Sequence, residues 1–524
     1  MINVQLYGIS SVWDIFVCAV SVVALTPVTA TASSTYNYDR FQVFRIKFPT
    51  KEKWSEFYSQ LPRSLPSDGN KTANIWRHPD TQGQADVLIS GNYVDEVKRL
   101  LKELDLKHQV TIFNVGSVIG EEMASRKRRR KRSINDNDII GHYARYHEML
   151  NWMNDVVVHY PTITKIITIG KTEEGREMKM LKIGFPGSNK WKIWLDGGIH
   201  AREWIAPATV LYLADMLLQG YKRKDSYTTH ILQKLDFYFL PVVNPDGYEY
   251  SQTKDRLWRK NRKFDLLTGC HGVDLNRNWR FQWGQGFSSD DPCADDYRGL
   301  YPEDSVEVQN IISFLSPRAQ AFIAFLTYHS YGQRFITRWD YTKDAVPKDH
   351  NQLITLAQKA VIAMKRVHET VYEAGRAPEL MYPYGGGSPD WAKAIGNIKY
   401  SYLIELRNHH SFILPTEQIR PTGEENWAAL SVISRDIILY YGDIPAPHVG
   451  DSLHWSTDNA FDEYEVIVVF LVGLVDGDEI QNVFIFTSDI IMLGSNTTLN
   501  IIDEESFHLN YHPNTYPGEL DGTD

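Results

Sequence analysis

Residues 196–204 read DGGIHAREW and place His200 and Glu203 three positions apart, after one short apolar run and before a long one. That spacing suits two of the three protein ligands of a catalytic zinc, which takes nitrogen and oxygen donors and leaves its fourth position to water. A buried histidine beside a glutamate that caps a helix start has the same spacing and needs no metal. The pair alone does not decide, and a third ligand has to come from elsewhere. "AFLTYHSYGQ" supplies a candidate in His329, which follows an apolar run of strand length and is flanked by polar Ser330 and Tyr331. Hydrolysis also needs a base to take a proton from water. Glu405, in "YSYLIELRN", is a carboxylate that ends an otherwise apolar strand. Burying it without a partner is costly, so either it pairs with Arg407 or it serves the site.

The runs around these residues set the fold class. "KIWLDGG", "LDFYFLPVVN", "QAFIAFLTYHS" and "IKYSYLIEL" are apolar and of strand length, whereas "APATVLYLADMLL" reads as a buried helix. Strands and helices alternate from 133 to about 442, which predicts an α/β layer structure around a largely buried mixed sheet. Residues 40–115 are organised differently. "RFQVFRIKF" and "HQVTIFNV" alternate, "ADVLIS" is a further strand candidate, "KEKWSEFYSQL" is helix-like, and Val97, Leu100, Leu101 and Leu104 share one helix face. These elements predict a small α+β open sandwich, with domain bounds at 36–125.

The chain has 524 residues, 43% hydrophobic and 23% charged, which suits several globular units. Its formal charge of -10 is uneven. Residues 443–524 hold sixteen Asp/Glu and no Lys or Arg, leaving 55 Lys/Arg against 49 Asp/Glu in the first 442. That acidic extension carries no motif, although "EYEVIVVFLVGLV", the turn "DGD" and "EIQNVFIFTSDIIML" suit a β-hairpin, and its apolar run is too short for a membrane anchor. At the other end, the apolar residues 15–25 precede small residues around Ala30 and Ala32, which predicts a signal peptide over 1–32 and a secreted protein, despite Asp14 and the lack of preceding Lys or Arg. Cys18 would leave with it. Cys270 and Cys293 remain, either as two buried thiols or as a bridge contributing roughly 3 kcal/mol in the chain-entropy model.

Seven consecutive basic residues, Arg126 to Arg132, follow the small sandwich. Such a run repels itself and is expected to be an exposed tether. Behind a signal peptide it reads as a cleavage site for an activating protease, cut after Arg132, rather than as a solvated linker or a nucleic-acid patch. The order is then signal, pro-segment, basic linker (126–132) and mature domain (133–442).

Further motifs occur in order along the chain: "PVVNPDGYEYS", "RLWRKNR", "GVDLNRNW", "HSYGQ", "GGGSPDW", and "ELRN" followed by "FILPTEQI". With "HAREW", they resemble the zinc metallocarboxypeptidases of the digestive type, the carboxypeptidase A and B branch, over nearly all of residues 140–440 and more loosely over the pro-segment. The resemblance implies a mixed eight-stranded sheet flanked by helices, with a separately folded pro-segment covering the cleft. It implies one Zn2+ held by His200, Glu203 and His329, with Glu405 as general base and Arg259 stabilising the oxyanion. Asn276 and Arg277 match the pair that grips the substrate's terminal carboxylate, Tyr382 the mobile tyrosine that closes over it, and Arg202 a subsite arginine further along the peptide. It also implies the Cys270–Cys293 bridge. A site that anchors a free C-terminus cuts only the last peptide bond, so the expected substrates are peptides or proteins with a free C-terminus.

Side-chain preference is read from two positions. In the resemblance, the residue before "DW" lines the pocket floor, as aspartate for Lys/Arg and isoleucine for apolar residues; here it is Pro389, which fits neither. Asp340 stands where apolar-preferring members have glycine and the regulatory branch has an acid. A carboxylate about 4 Å from an ammonium contributes up to ~4 kcal/mol before desolvation at an effective dielectric of 20, which favours a basic or mixed preference unless Asp340 pairs with Arg334 or Arg338. The alternative function is a catalytically silent secreted protein of the same fold that binds peptides. It would be marked by loss of Glu405, Arg259 or a zinc ligand, and none is lost from the sequence.

Overall fold

A computed structural model describes residues 35–61, 72–130, 139–187 and 189–447, with four short strands between 472 and 509. The first unit of structure is a four-stranded antiparallel sheet. Its strands β1 (Gln42–Lys47), β2 (Ala73–Arg77), β3 (Gln84–Ile89) and β4 (Lys107–Ile112) lie in the order β2-β3-β1-β4. Helices Lys51–Gln60 and Val94–Glu103 cover one face, the first capped by the Thr50 side chain, which accepts from the Lys53 N–H. Val97, Leu100 and Leu101 pack there with Phe44, Ile46, Val87 and Ile89. This is the expected open sandwich. Strand β2, "ANIWR", was not singled out from sequence, because it is short and its polar residues face the neighbouring domain rather than water.

One expectation is corrected. The helix Val115–Arg130 runs into the basic stretch expected to be an unfolded tether. Arg126, the first residue of the run, lies over the Trp204 ring at 5.5 Å. Arg132, the signal segment and the sequons at Asn70 and Asn496 lie outside the described residues.

The main sheet has eight strands: β5 (Thr164–Lys171), β6 (Glu177–Ile183), β7 (Trp191–Gly197), β8 (Leu235–Leu240), β9 (Phe322–His329), β10 (Arg334–Thr337), β11 (Glu373–Arg376) and β12 (Tyr400–Glu405). Their order is β11-β10-β12-β9-β7-β8-β6-β5. The four central strands β12, β9, β7 and β8 are mutually parallel; β10 and β6 pair antiparallel to their outer members, β5 is antiparallel to β6, and the edge strand β11 is parallel to β10. Every residue of β8, β9 and β12 is buried, which is why these strands read as continuous apolar runs rather than alternating ones. Helices Ile205–Lys222, His350–His368 and Ile419–Tyr441 bury one face of the sheet, and Val306–Leu315 and Ser388–Ala394 the other. The predicted mixed eight-stranded α/β architecture is therefore present. Cys270 and Cys293 form a disulfide. Among the described residues no helix is long and apolar enough to cross a membrane. Considered by itself, the C-terminal unit contains two antiparallel pairs, β13 (Val472–Asp476) with β14 (Glu479–Phe484), and β15 (Leu499–Asp503) with β16 (Ser506–Leu509), the turn expected at "DGD" lying outside the described residues.

The small sandwich docks through its last helix. Arg256 makes a two-pronged bond to Glu122, at 2.6 and 2.9 Å, with both side chains at most 3% exposed, and its guanidinium stacks 3.6 Å from the Trp204 ring. Breaking a buried pair by removing one partner costs about 3–5 kcal/mol. Glu122→Ala is therefore expected to weaken the hold of the cleaved pro-segment on the mature domain by a hundredfold or more, read from its inhibition constant in trans.

Candidate active site

The three ligand candidates meet at the ends of adjacent parallel strands. His200 and Glu203 lie in the turn between β7 and the helix Ile205–Lys222, and His329 is the last residue of β9. His200 Nδ1 is 2.8 Å from Glu203 Oε1 and 3.2 Å from His329 Nδ1, while His329 Nδ1 is 3.3 Å from Glu203 Oε2. All three residues are at most 4% exposed. Their ligating atoms lie within 4.8 Å of one another, the one such group among the described residues. The second ring nitrogen of each histidine is already engaged. His200 Nε2 faces Asp274 Oδ1 at 3.2 Å, and His329 Nε2 faces Thr327 Oγ1 at 3.3 Å, itself bonded to Asp196 at 2.6 Å. Such outer partners fix the tautomer and aim the free lone pair at a metal. Two nitrogens and one carboxylate that converge in a buried place fit Zn2+.

Parallel pairing of β12 with β9 sets Glu405 directly opposite His329. Glu405 does not pair with Arg407, whose guanidinium is committed to Glu425 and Gln418. Its Oε2 is buried without a hydrogen-bond partner, and burial, reinforced by the Glu203 charge, pushes its carboxyl up to about 7 against the opposing pull of His329. Arg259 is held by Asp274 at 2.7 and 3.0 Å. Burial alone would favour its neutral form, but the charges of Asp274 and Glu203 raise it above the usual arginine value. Asp274 was missed from sequence as a functional residue, although it stands in the quoted "GVDLNRNW". It joins His200, Arg259 and the Asn276 N–H in one buried network.

Asn276 and Arg277 line the same cavity as the three ligands, Arg259, Tyr382 and Glu405. The hydrogen bonds of Arg277 go to the carbonyls of Phe287 and Asn276, at 2.8 and 2.9 Å, so among the described residues no carboxylate is hydrogen-bonded to this cation. Gly386, at φ +69°, lets the "GGGSPDW" loop close on this segment, since a Cβ there would collide with the Arg277 carbonyl. Tyr382 sits at the rim, edge-on to Phe287 and to His78 of the pro-segment. Arg202 is buried and bonded to Asp295 at 3.0 Å and to Asn74 Oδ1 at 3.2 Å.

Asp340 and Pro389 are not where the specificity reading put them. Both are buried outside the cavity lining, and Asp340 is wholly inaccessible. Asp340 is bonded to Arg338 and accepts from the Tyr384 hydroxyl at 2.9 Å. Its charge is thus spent on a buried arginine rather than on a surface partner, and a basic preference loses its main support.

The pro-segment closes the mouth. Trp76 and Arg77 line the cavity beside Tyr331 and Phe412, leaving a volume of about 40 Å³. Asp86 of β3 accepts from the Tyr331 hydroxyl at 2.8 Å, and Trp76 packs edge-on against Phe412.

A metal-holding triad, a buried free carboxylate beside it and a covered mouth define a metal-dependent peptide hydrolase kept as a precursor. The zinc carboxypeptidase family model matches residues 149–429, and the carboxypeptidase activation peptide model matches residues 63–122. Carboxypeptidase B of Astacus astacus is 43% identical over 295 residues, covering 56% of this chain and 96% of that protein. Carboxypeptidase A2 of Mus musculus is 36% identical over 376 residues, covering 71% and 89%. The crystal structure of thrombin activatable fibrinolysis inhibitor superposes with a TM-score of 0.69 at 30% identity, covering 77% of this chain and 100% of that one. The chain belongs to the zinc carboxypeptidase family, as a pro-enzyme of the A/B branch and hence an exopeptidase.

Losing an outer partner of a metal-bound histidine typically lowers metal affinity 10–100-fold. Asp274→Ala is expected to weaken zinc binding by roughly that factor, measured by competition with a chromogenic chelator.

Proposed function

We propose that the protein is secreted, cut after Arg132 by an activating protease, and then removes residues from the free C-terminus of peptides and proteins with Glu405 as general base. The observation that carries this reading is the buried Glu405, opposite His329, with one carboxylate oxygen unbonded. Zn2+, when held by His200, Glu203 and His329, supplies a Lewis acid that polarises the scissile carbonyl and acidifies water. The chain's own groups do the rest. Glu405, with its carboxyl near 7, accepts a proton from the attacking water and can return it to the departing amine. Arg259, fixed by Asp274, directs its charge to the carbonyl oxygen as that oxygen becomes negative.

Arg277 and Asn276 anchor the terminal carboxylate, Arg277 being a cation whose hydrogen bonds otherwise reach only carbonyls. Tyr382, at the rim, closes over that carboxylate, and Arg202 binds the peptide further upstream. No nucleic acid or stable membrane anchor enters this reading. The silent peptide-binding alternative has no missing group to rest on, since every position it would have to lose is occupied by the required side chain.

Glu405→Gln is expected to retain zinc, by atomic absorption, while kcat falls about 10²–10⁴-fold. Unchanged turnover would remove the base assignment. Hydrogen bonds to a charged group contribute about 1.5–3 kcal/mol, so Arg277→Ala is expected to lower kcat/KM some tenfold to a hundredfold for peptides with a free carboxylate. An equal loss for C-terminally amidated peptides would count against the anchor.

A further inference from the structure

The terminal residue of a peptide anchored by Arg277 carries its side chain on the carbon next to that carboxylate. Tyr384, whose ring lies against the Arg277 guanidinium, clusters with Met381 and Leu403, and all three line the cavity, so the side chain is placed against this apolar group. The lining also includes Trp76 and Arg77 of the pro-segment, which leave with that segment.

The inner wall has no such freedom. Tyr384 is 3% exposed, its ring lies 4.2 Å from the Arg277 guanidinium, and its hydroxyl donates to Asp340 Oδ2 at 2.9 Å. Its N–H donates to the Asp340 carbonyl at 3.0 Å. All these partners belong to the catalytic domain, so activation does not release the ring. Behind it, Arg338 bonds Asp340 and reaches Asp390 at 3.2 Å, and the three residues are at most 1% exposed. Asp340 Oδ1 is already buried without a partner, so rotating the tyrosine away would strip this group of a second bond in a place closed to water.

We propose that Tyr384 is the floor of the C-terminal side-chain pocket and, by filling the space in front of Asp340, restricts the enzyme to peptides ending in small uncharged residues such as alanine and serine. This deepens the exopeptidase reading and rests on it. The buried trio also offers no charge to a basic side chain. Arg338 is bonded to both Asp340 and Asp390, and burial raises both carboxyls above their ordinary values, so this cluster is internally paired.

The test compares processed enzyme on peptides identical except for a terminal Ala, Ser, Leu, Phe, Lys or Arg. A side chain mismatched to a fixed pocket typically changes kcat/KM by tenfold or more, so Ala and Ser are expected to exceed Phe and Arg by at least that factor. Tyr384→Ala is expected to improve Leu and Phe relative to Ala at least tenfold, mainly through KM, whereas Tyr384→Phe keeps the ring and the small-residue preference. Faster hydrolysis of the Phe or Arg peptide by the wild type overturns the proposal, as does an unchanged order in Tyr384→Ala that still binds zinc. Dissociation constants for the same peptides on Glu405→Gln, by calorimetry, give a readout independent of turnover. The same order there supports the proposal and an inverted order overturns it. A wild type that cuts nothing defeats the catalytic reading, while the binding order still judges Tyr384.

Discussion

Everything in the catalytic domain is arranged around a surplus of buried negative charge. Glu203, Glu405 and Asp274 crowd one buried site with Arg259 as the only arginine among the described residues bonded to any of them, and the two imidazoles bring their Nδ1 atoms within 3.2 Å of each other. Left alone, such a cluster is costly, because each carboxylate has lost its hydration. A divalent cation between the nitrogens and the Glu203 carboxylate removes most of that cost. The partial solutions adopted by the chain point the same way. Glu405 rises to about 7, and His200 is held below its ordinary value, first by burial and then by Arg259, so that its Nδ1 stays free. The strand order makes this possible, because β7, β9 and β12 run parallel side by side and end at one level.

Much of this was legible in the sequence because the central strands are buried on both faces. A polar residue that ends an uninterrupted apolar run, as His329 and Glu405 do, is conspicuous for that reason. The apolar stripe at Val97, Leu100 and Leu101 was equally readable, since one helix face meets one sheet face. What escaped was anything decided by partners distant in the chain. Asp274 reads as one more acid in a loop until His200 and Arg259 arrive beside it. The start of the basic run reads as self-repelling until a helix carries it as far as Arg130 and Trp204 faces Arg126. Asp340 was left open between a substrate and an arginine partner, because sequence offers Arg338 as a candidate but shows neither its burial beside Asp340 nor the Tyr384 hydroxyl.

The pro-segment covers the cavity, and its contacts show the chemistry of the groove that it fills. The Asn74 carboxamide accepts from Arg202 at 3.2 Å through its oxygen and donates to Asp295 at 2.7 Å through its nitrogen. A peptide group of a bound substrate offers the same acceptor and donor. His78 adds a bond to Asp296 at 3.3 Å and packs against Phe287 and edge-on to Tyr382, tying down the rim while the precursor is intact.

That substitution of one set of polar partners for another explains why the covered site need not be distorted to be inactive. Arg202 and Asp295 are buried or half-buried, and each would be poorly solvated if the groove were merely capped by apolar side chains. By satisfying them with an amide, the pro-segment keeps both charges in the geometry a peptide will need. The cation left for last is Arg277, whose bonds go to carbonyls while the precursor is closed. An arginine kept from a carboxylate partner is costly in a buried setting, and that cost is recovered when a terminal carboxylate enters. On the proposed reading, selectivity for chain ends would follow from a cation whose hydrogen bonds go only to carbonyls, rather than from the shape of the cleft alone.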